Sequence, residues 1–322
     1  MSNSLSTRRG FTLATLALPT LPFLPGCAAP LPLSLNPEST PAARSLIAES
    51  AAAHGYAAFS KLDDLSLRYE GEWRNLIDRI QPALVDAGFR GGSEERLLLR
   101  EGITAQTHTG TSGKKQVWQR SVPKAAGEVK VWFNGEPAVD DERRGAAALV
   151  VDGYNLFLQG PMLLAGRWAS ERSMVAQLGG TEWVNGYECD VLRVRIVPGL
   201  GFASSEQLAL FIDRKERLMR RVRFTLDGLT STQGAIAEVE TFDHVTLHGV
   251  RWPTRFYERL LRPLPLPVHD WRLTGLDVNR GLRLAEVDGP AFAGRAAAPA
   301  KALVRVVSRA FGPLATATSG PP

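Results

Sequence analysis

Between residues 186 and 257 the chain alternates apolar and polar side chains in short runs separated by turn residues. A period of two puts successive side chains on opposite faces of a strand, so each run reads as a strand with one dry face. In residues 218–226, Leu218, Val222, Phe224 and Leu226 share one parity, while Arg221, Arg223 and Thr225 take the other. Leu208, Leu210 and Ile212 alternate in the run before it, and the polar stretch 214–217 between the two reads as a hairpin loop. A third run, 235–243, leads through His248-Gly249 into Val250, Trp252, Thr254 and Phe256, again on a single parity. Upstream, residues 183–197 read as a hairpin around Asn185-Gly186, with Leu192, Val194 and Ile196 inward and Arg193 and Arg195 outward. The pattern predicts an antiparallel meander of at least four strands with one wet and one dry face.

Three motifs in this region, VNGYECDVLRV, LFIDRKERLMRRV and FDHVTLHGVRWPTR, follow one another in that order. Their succession resembles the superfamily of outer-membrane lipoprotein-sorting carriers and receptors, LolA/LolB-like proteins that include periplasmic anti-sigma-factor regulators. The resemblance spans residues 45–280. It implies a mainly β (α+β) fold: a single curved antiparallel sheet forming an open half-barrel, with helices covering its concave face and an interior that holds acyl chains.

The N-terminus adds an address. Arg8 and Arg9, in Thr-Arg-Arg-Gly-Phe, resemble a twin-arginine export motif, and the apolar run 13–23 after them is too short and too broken by Pro19 and Pro22 to span a bilayer. Leu-Pro-Gly-Cys at 24–27 resembles a lipobox, which implies a diacylglycerol on the Cys27 thiol and a third, palmitate-like chain on its amine. An ordinary signal peptide cut after Ala29 would instead discard Cys27. Cys189 is the other cysteine, so no intramolecular disulfide forms once residues 1–26 are removed. The reading divides the chain into a signal peptide (1–26), a Pro/Leu/Ser-rich tether (27–41), a half-barrel domain (42–289) and a loosely ordered Ala/Pro/Gly-rich tail (290–322), with a weak surface-helix signal at 300–311.

Within the domain, Gly55 divides residues 41–59 into two helical pieces, and Leu65, Leu67, Tyr69 and Trp73 alternate as a first strand. Helical spacing returns at 75–85, limited by Pro82. Strands are expected at 96–107, 115–121 and 129–133, the last ended by Asn134-Gly135. Residues 145–166 are the most apolar interior segment, where Asp152, Asn155 and Gln159 form one narrow helical stripe among Val150, Val151, Tyr154, Phe157 and Leu158. This helix, broken at Gly160-Pro161, takes the place of the one lying over the concave face, either as a fixed plug or as a movable lid. Residues 262–268 read as a stiff proline-rich connection and 271–278 as a last strand.

Charge and motif excluded other classes. The net charge of +5 comes from arginines scattered singly along strands, without the basic cluster expected of a nucleic-acid binder. No nucleophile elbow or zinc-protease histidine pair occurs, and the five histidines are scattered; His244 and His248 flank a turn without a third ligand. No catalytic residue, metal or cofactor is expected, and the chain reads as a binder. The expected hydrophobic cavity and its cover comprise Val150, Tyr154, Phe157, Leu158, Leu192, Val194, Val222, Phe224, Trp252 and Phe256. Arg220 falls on the dry parity of its strand, where a charge must be paired; it reads either as a bulge or salt-bridged residue, with an acid such as Glu238, or as a polar handle for an anionic headgroup. The resulting expectation is a lipid-anchored protein on the periplasmic side of the outer membrane, binding lipid or lipoprotein acyl chains. An envelope sensor or scaffold gripping a protein partner, a soluble periplasmic protein and a periplasmic hydrolase are the alternatives.

Overall fold

The computed structural model describes residues 31, 35–121, 128–167, 169, 173–292 and 294–299. Arg8, Arg9, Cys27 and the stretch 300–311 lie outside them. The first half of the sheet comprises β1 (Asp64–Trp73), β2 (Gly92–Leu98), β3 (Ile103–Gly110), β4 (Gly113–Arg120), β5 (Glu128–Phe133) and β6 (Glu136–Pro137). The second comprises β7 (Met174–Val184), β8 (Tyr187–Ile196), β9 (Glu206–Asp213), β10 (Met219–Thr225) and β11 (Ile236–Phe242), followed by a separate ribbon of β12 (Val245–Leu247) and β13 (Val250–Trp252), and then β14 (Arg255–Arg262). The long β15 (Leu266–Val278) pairs with β14 on one side and β1 on the other. The order β6-β5-β4-β3-β2-β1-β15-β14-β11-β10-β9-β8-β7 makes one 13-stranded antiparallel sheet whose end strands do not pair, so it curves without closing.

The helices are α1 (Pro41–His54), α2 (Tyr56–Phe59), α3 (Asn75–Ile80), α4 (Pro82–Val85), α5 (Asp141–Gln159), α6 (Pro161–Gly166) and α7 (Leu284–Val287). Apolar residues of α1, α5 and α6 form one cluster with the inward residues of both halves of the sheet, which puts the main core between the helices and the concave face. The Thr40 side chain caps α1, Pro41 occupies its first turn, and Gly55 ends it with φ 91°. A Cβ at Gly55 would stand 2.2 Å from the carbonyl oxygen of Gly249, so glycine is required both by the backbone angle and by the close passage of the β12–β13 turn.

Several boundaries differ from the sequence reading. The run 96–107 is two strands, because Gly102, at φ 64°, reverses the chain within it. The alternation from Val250 to Phe256 spans two sheets: Pro253 lacks the N–H that a continuous ladder needs, and β11 pairs with β14 instead. Chain beyond 289 is not loose over its described residues. Phe292 is buried against Leu98, Ile103 and Trp118 on the outer face, and Arg96, fully buried there, donates to the carbonyls of Gly294 and Ala296. The tether is also tied down in part: Leu31 packs with Val184, Cys189 and Phe211 on the outer face, and Thr40 N–H donates to Ala176.

The outer face of the second half is polar, as the alternation predicts, but it is not bare. Arg221, Arg223 and Arg259 converge on the buried carboxylates of Glu238 and Glu240, and the first two guanidinium groups lie 5.2 and 4.9 Å from the Phe211 ring. Cys189 is a core filler beneath this layer, with burial pushing its thiol up to about 11.

Docking of α1 depends on one histidine. Buried His54 accepts from the Met219 backbone N–H at Nε2 (3.0 Å), which leaves the proton on Nδ1, facing the Arg251 carbonyl at 3.3 Å. Burial lowers its pKa to about 4, and His244, whose ring is 5.9 Å away, is held neutral in the same way at about 3. An unfolded histidine takes up a proton near pH 6.5 that folded His54 refuses until about pH 4, so its stabilisation is complete above pH 6.5 and is lost as pH falls through that window. In urea unfolding, the advantage of wild type over His54→Gln should shrink between pH 6.5 and pH 4 by up to about 3 kcal/mol. A pH-independent difference would show that His54 does not carry the effect.

Candidate functional site: the concave groove and its open cleft

The Asp140 side chain caps α5, and Asp141 and Glu142 place negative charge in its first turn, where the helix dipole favours it. From Gly145 to Gln159 every residue of the helix is buried. Its polar stripe is used internally: Asp152 pairs with Arg167 at 3.0 Å and accepts from the Gly201 N–H, Asn155 donates to Thr104, and Gln159 donates to Asn155. With those groups satisfied, the helix can lie buried on all sides.

The ten expected cavity and cover residues come together. Val150, Tyr154, Phe157 and Leu158 of α5 sit in one packed cluster with Leu192, Val194, Val222, Phe224, Trp252 and Phe256. The Phe157 ring is 5.3 Å from that of Phe224 and 5.9 Å from that of Trp271. These residues form the seat in which α5 rests, and the helix fills that part of the groove.

Open space lies beside them. A cleft of about 480 Å³ opens between α2, the C-terminal end of α5, α6 and the β2–β3 hairpin. Its walls are mostly apolar, from Tyr56, Phe59, Leu97, Leu99, Met162 and Leu163, with Asn155 and Gln159 at the helix side and Arg100, Arg120 and Arg167 also lining it. Its size lies in the range of small-molecule sites. The sequence reading missed these residues. Tyr56 and Phe59, three apart just after the helix-breaking Gly55, and the run Leu97-Leu98-Leu99 were the available signals, but they meet only through the fold.

The concave face is not uniformly greasy. Cross-strand registers place Leu192, Leu210, Val222 and Val239 in one row that continues into Glu258, His269 and Trp73. A second row crosses the first half from Tyr69 through Ser93, His108 and Lys115 to Phe133, beside a third of Leu67, Glu95, Gln106 and Val117. Burial pushes the Glu95 carboxyl up to about 8, against the opposing effects of its hydrogen bond from Gln106 and of Arg90. Burial likewise lowers Lys115 to about 8, although it is paired with Asp86, and holds His108 and His269 well below the usual histidine range. The polar spacing Thr104, Gln106, His108 was the available signal for this polar, buried strand face, which the sequence reading did not draw on.

Arg220 sits at a bulge between Met219 and Arg221. Its guanidinium is held by Asp213 at 2.6 Å and Glu216 at 3.0 Å and lies 3.7 Å from the Tyr187 ring, while Glu238 pairs instead with Arg223 and Arg259. His248 forms the turn before Gly249 at φ 55°, and His244 turns toward His54. Among the described residues no group of three His, Cys, Asp or Glu side chains could hold a metal ion, and no helix is long and apolar enough to cross a membrane.

What these features define is an open antiparallel half-barrel with a helix filling its concave face and an apolar cleft at one end. No family model matches the sequence, and no curated protein does. Solved structures are similar to it, three of them as follows. A DUF1329 family protein from Desulfovibrio piger is 10% identical, covering 78% of this chain and 98% of its own, with a TM-score of 0.46. A LolA superfamily protein from Nitrosomonas europaea is 9% identical over 76% and 97%, with a TM-score of 0.44. The Mycobacterium tuberculosis lipoprotein LppX is 12% identical over 76% and 99%, with a TM-score of 0.26. Likeness at this level bears on neither ligand nor partner.

The seat of α5 is tested by truncation. Phe157→Ala should lower unfolding stability by roughly 3–5 kcal/mol, the cost of removing a buried aromatic ring whose surroundings relax only partly. Thermal and urea unfolding measure it; a loss under about 1 kcal/mol, small by the same scale, would mean that the helix is not packed in solution as described.

Proposed function

We propose that this chain is an envelope lipoprotein that binds a hydrophobic ligand, lipid or the acyl chains of another lipoprotein, in the cleft beside α5. The observation that carries the reading is a solvent-open cleft of about 480 Å³ whose walls are mostly apolar. Exposed apolar concavities of this kind are costly in water, and they are relieved by an apolar occupant. At about 0.8 kcal/mol per buried methylene, a 16-carbon chain would gain on the order of 12 kcal/mol if wholly buried, so even partial insertion gives useful affinity. Arg120 among the lining residues suits an anionic headgroup, whereas Arg100 and Arg167 are paired with Asp63 and Asp152 and Glu101 also lines the cleft. Twin-arginine export through Arg8 and Arg9 and lipidation at Cys27 would deliver the protein to the periplasmic side of the outer membrane, where two or more chains anchor stably.

Native mass spectrometry of protein purified from membranes should show co-purifying lipid, and a fluorescent fatty acid should bind and be displaced by unlabelled lipid. Leu163→Trp, which fills the cleft from a half-buried position, should weaken that binding on the order of tenfold, the loss of about two methylene contacts, with little change in melting temperature. An empty protein, with no fatty-acid binding in parent or variant, would favour the second reading, a module gripping a protein partner.

The anchor is checked separately. Cys27→Ser should move the protein from the membrane fraction to the soluble periplasm; unchanged partitioning would refute lipidation at this cysteine.

A further inference from the structure

At the end of the groove away from the cleft, four rings stack in a column. Trp73 lies on His269 at 4.1 Å, His269 on Trp271 at 4.4 Å, and Trp271 on Phe256 at 5.0 Å, all within 17° of parallel. Arg90, in the loop leading into β2, lies with its guanidinium 5.0 Å from the Trp73 ring. Stacking uses the flat face of the guanidinium and leaves its N–H edge to be satisfied elsewhere. One nitrogen, Nη2, donates to the Leu84 carbonyl, and the Tyr154 hydroxyl lies close enough to interact with the guanidinium, but Nε and Nη1 are buried and make no hydrogen bond of normal geometry. The neighbouring Nδ1 of His269, a residue only 3% exposed, is also buried and unpartnered.

These groups line one small pocket, together with His108, Tyr69 and Tyr154. Its free space of about 20 Å³ suits one or two water-sized atoms, the size of a carboxylate's oxygens. Glu70, Gly71, Gly91, Gly92 and Trp271 line both this pocket and a wide notch on the adjacent surface, so the two adjoin, with the exposed Glu70 at their shared rim.

A buried guanidinium without an anion is costly. Three acids lie near Arg90, but none is within salt-bridge distance of it: Glu70 lines the same pocket from the exposed side, and Glu95 and Glu258 lie deeper. Burial pushes Glu95 up to about 8; Glu258, although part of its side chain reaches the surface, is crowded enough by protein to be pushed up to about 7. Lys115, the buried cation on the neighbouring strand, already has its own carboxylate in Asp86. The guanidinium edge of Arg90 therefore has free donors facing an accessible space.

The geometry points to a carboxylate-binding site in this pocket: one carboxylate group accepts from Nε and Nη1 of Arg90 and from the imidazole N–H of His269, reached from the adjoining notch. It is distinct from the apolar cleft, and it does not rest on lipid binding there. A free small carboxylic acid and the carboxylate end of a fatty acid share this chemistry.

Formate and acetate are the probes, titrated into the whole protein at constant ionic strength with chloride as the control. Both should give saturable heats in calorimetry and a saturable rise in melting temperature. Arg90→Gln should weaken binding about tenfold or more, the factor supplied by one charge-assisted hydrogen bond, and Arg90→Lys should restore part of it. If Arg90→Gln does not fold, ring resonances of the wild-type histidines decide: acetate should move His269 and leave His54 in place. Absence of a saturable response in wild type, a response that Arg90→Gln leaves unchanged, or equal shifts at His269 and His54 would each overturn the site. Octanoate that displaces acetate identifies the source as a fatty-acid headgroup, and octanoate that binds without displacing it identifies a free small carboxylate; Leu163→Trp should affect neither acetate result.

Discussion

One pairing holds the two halves of this molecule together. β1 and β15, nearly two hundred residues apart in the chain, run antiparallel from Leu65 opposite Val278 to Trp73 opposite His269. Without β15, the sheet of β1 to β6 and the sheet of β7 to β14 would each have a bare edge where the other now sits. The seam also sets the stacked column, since Trp73 opposite His269 and Trp271 opposite Phe256 are direct cross-strand neighbours. Each stacked aromatic pair adds about 0.5–1.5 kcal/mol beyond the area it buries, so the column stiffens the seam where the sheet bends. Because the contact closes so long a loop, the two halves can pair locally before it forms, at the usual entropic disadvantage of distant contacts.

The seam also marks a change in chemistry along the concave face. On the side of β7 to β14 the inward residues are mainly aliphatic and aromatic, and α5 covers them with matching apolar residues. On the side of β2 to β4 they include Glu95, Gln106, His108 and Lys115, all buried and all drawn into hydrogen bonds or an ion pair. A buried polar surface is stable only when each group has a partner, which favours one arrangement of the strands over slipped ones. Two kinds of space lie on this first half, at opposite ends of its strands: an apolar cleft at the β2–β3 turn, suited to a chain, and a polar pocket at the far end of β1, suited to a small polar group.

The arrangement of α5 bears on how a ligand enters. Its polar stripe is tied to Thr104, Arg167 and Gly201, so withdrawing the helix would break several buried polar contacts at once. The cleft needs no such withdrawal. It is bounded by the short α2 and α6 and by the β2–β3 turn, elements with few residues to move, so occupancy there is compatible with α5 staying in place.

Much of the local architecture was legible because period and punctuation are local properties. Alternation at Leu208, Leu210 and Ile212, the Asn185-Gly186 turn, the break at Gly55 and the long apolar helix all reflect preferences that neighbouring residues impose on one another. The inward parity of Leu192, Val194, Val222 and Phe224 was readable for the same reason. What required the tertiary structure was everything set by contacts between distant residues. Pro253 ended one strand and began another in a different sheet, Phe292 was buried under a tail that composition marked as loose, and the apolar residues of the 146–158 region proved to fill the groove while Tyr56, Leu97, Met162 and Leu163 left a cleft. Arg90 shows the difference most sharply. In the sequence it is one scattered arginine among many; only the folding of β1 against β15 brings it over Trp73 and into one pocket with His269, because side-chain periodicity fixes which way a residue points and says nothing about what it will meet there.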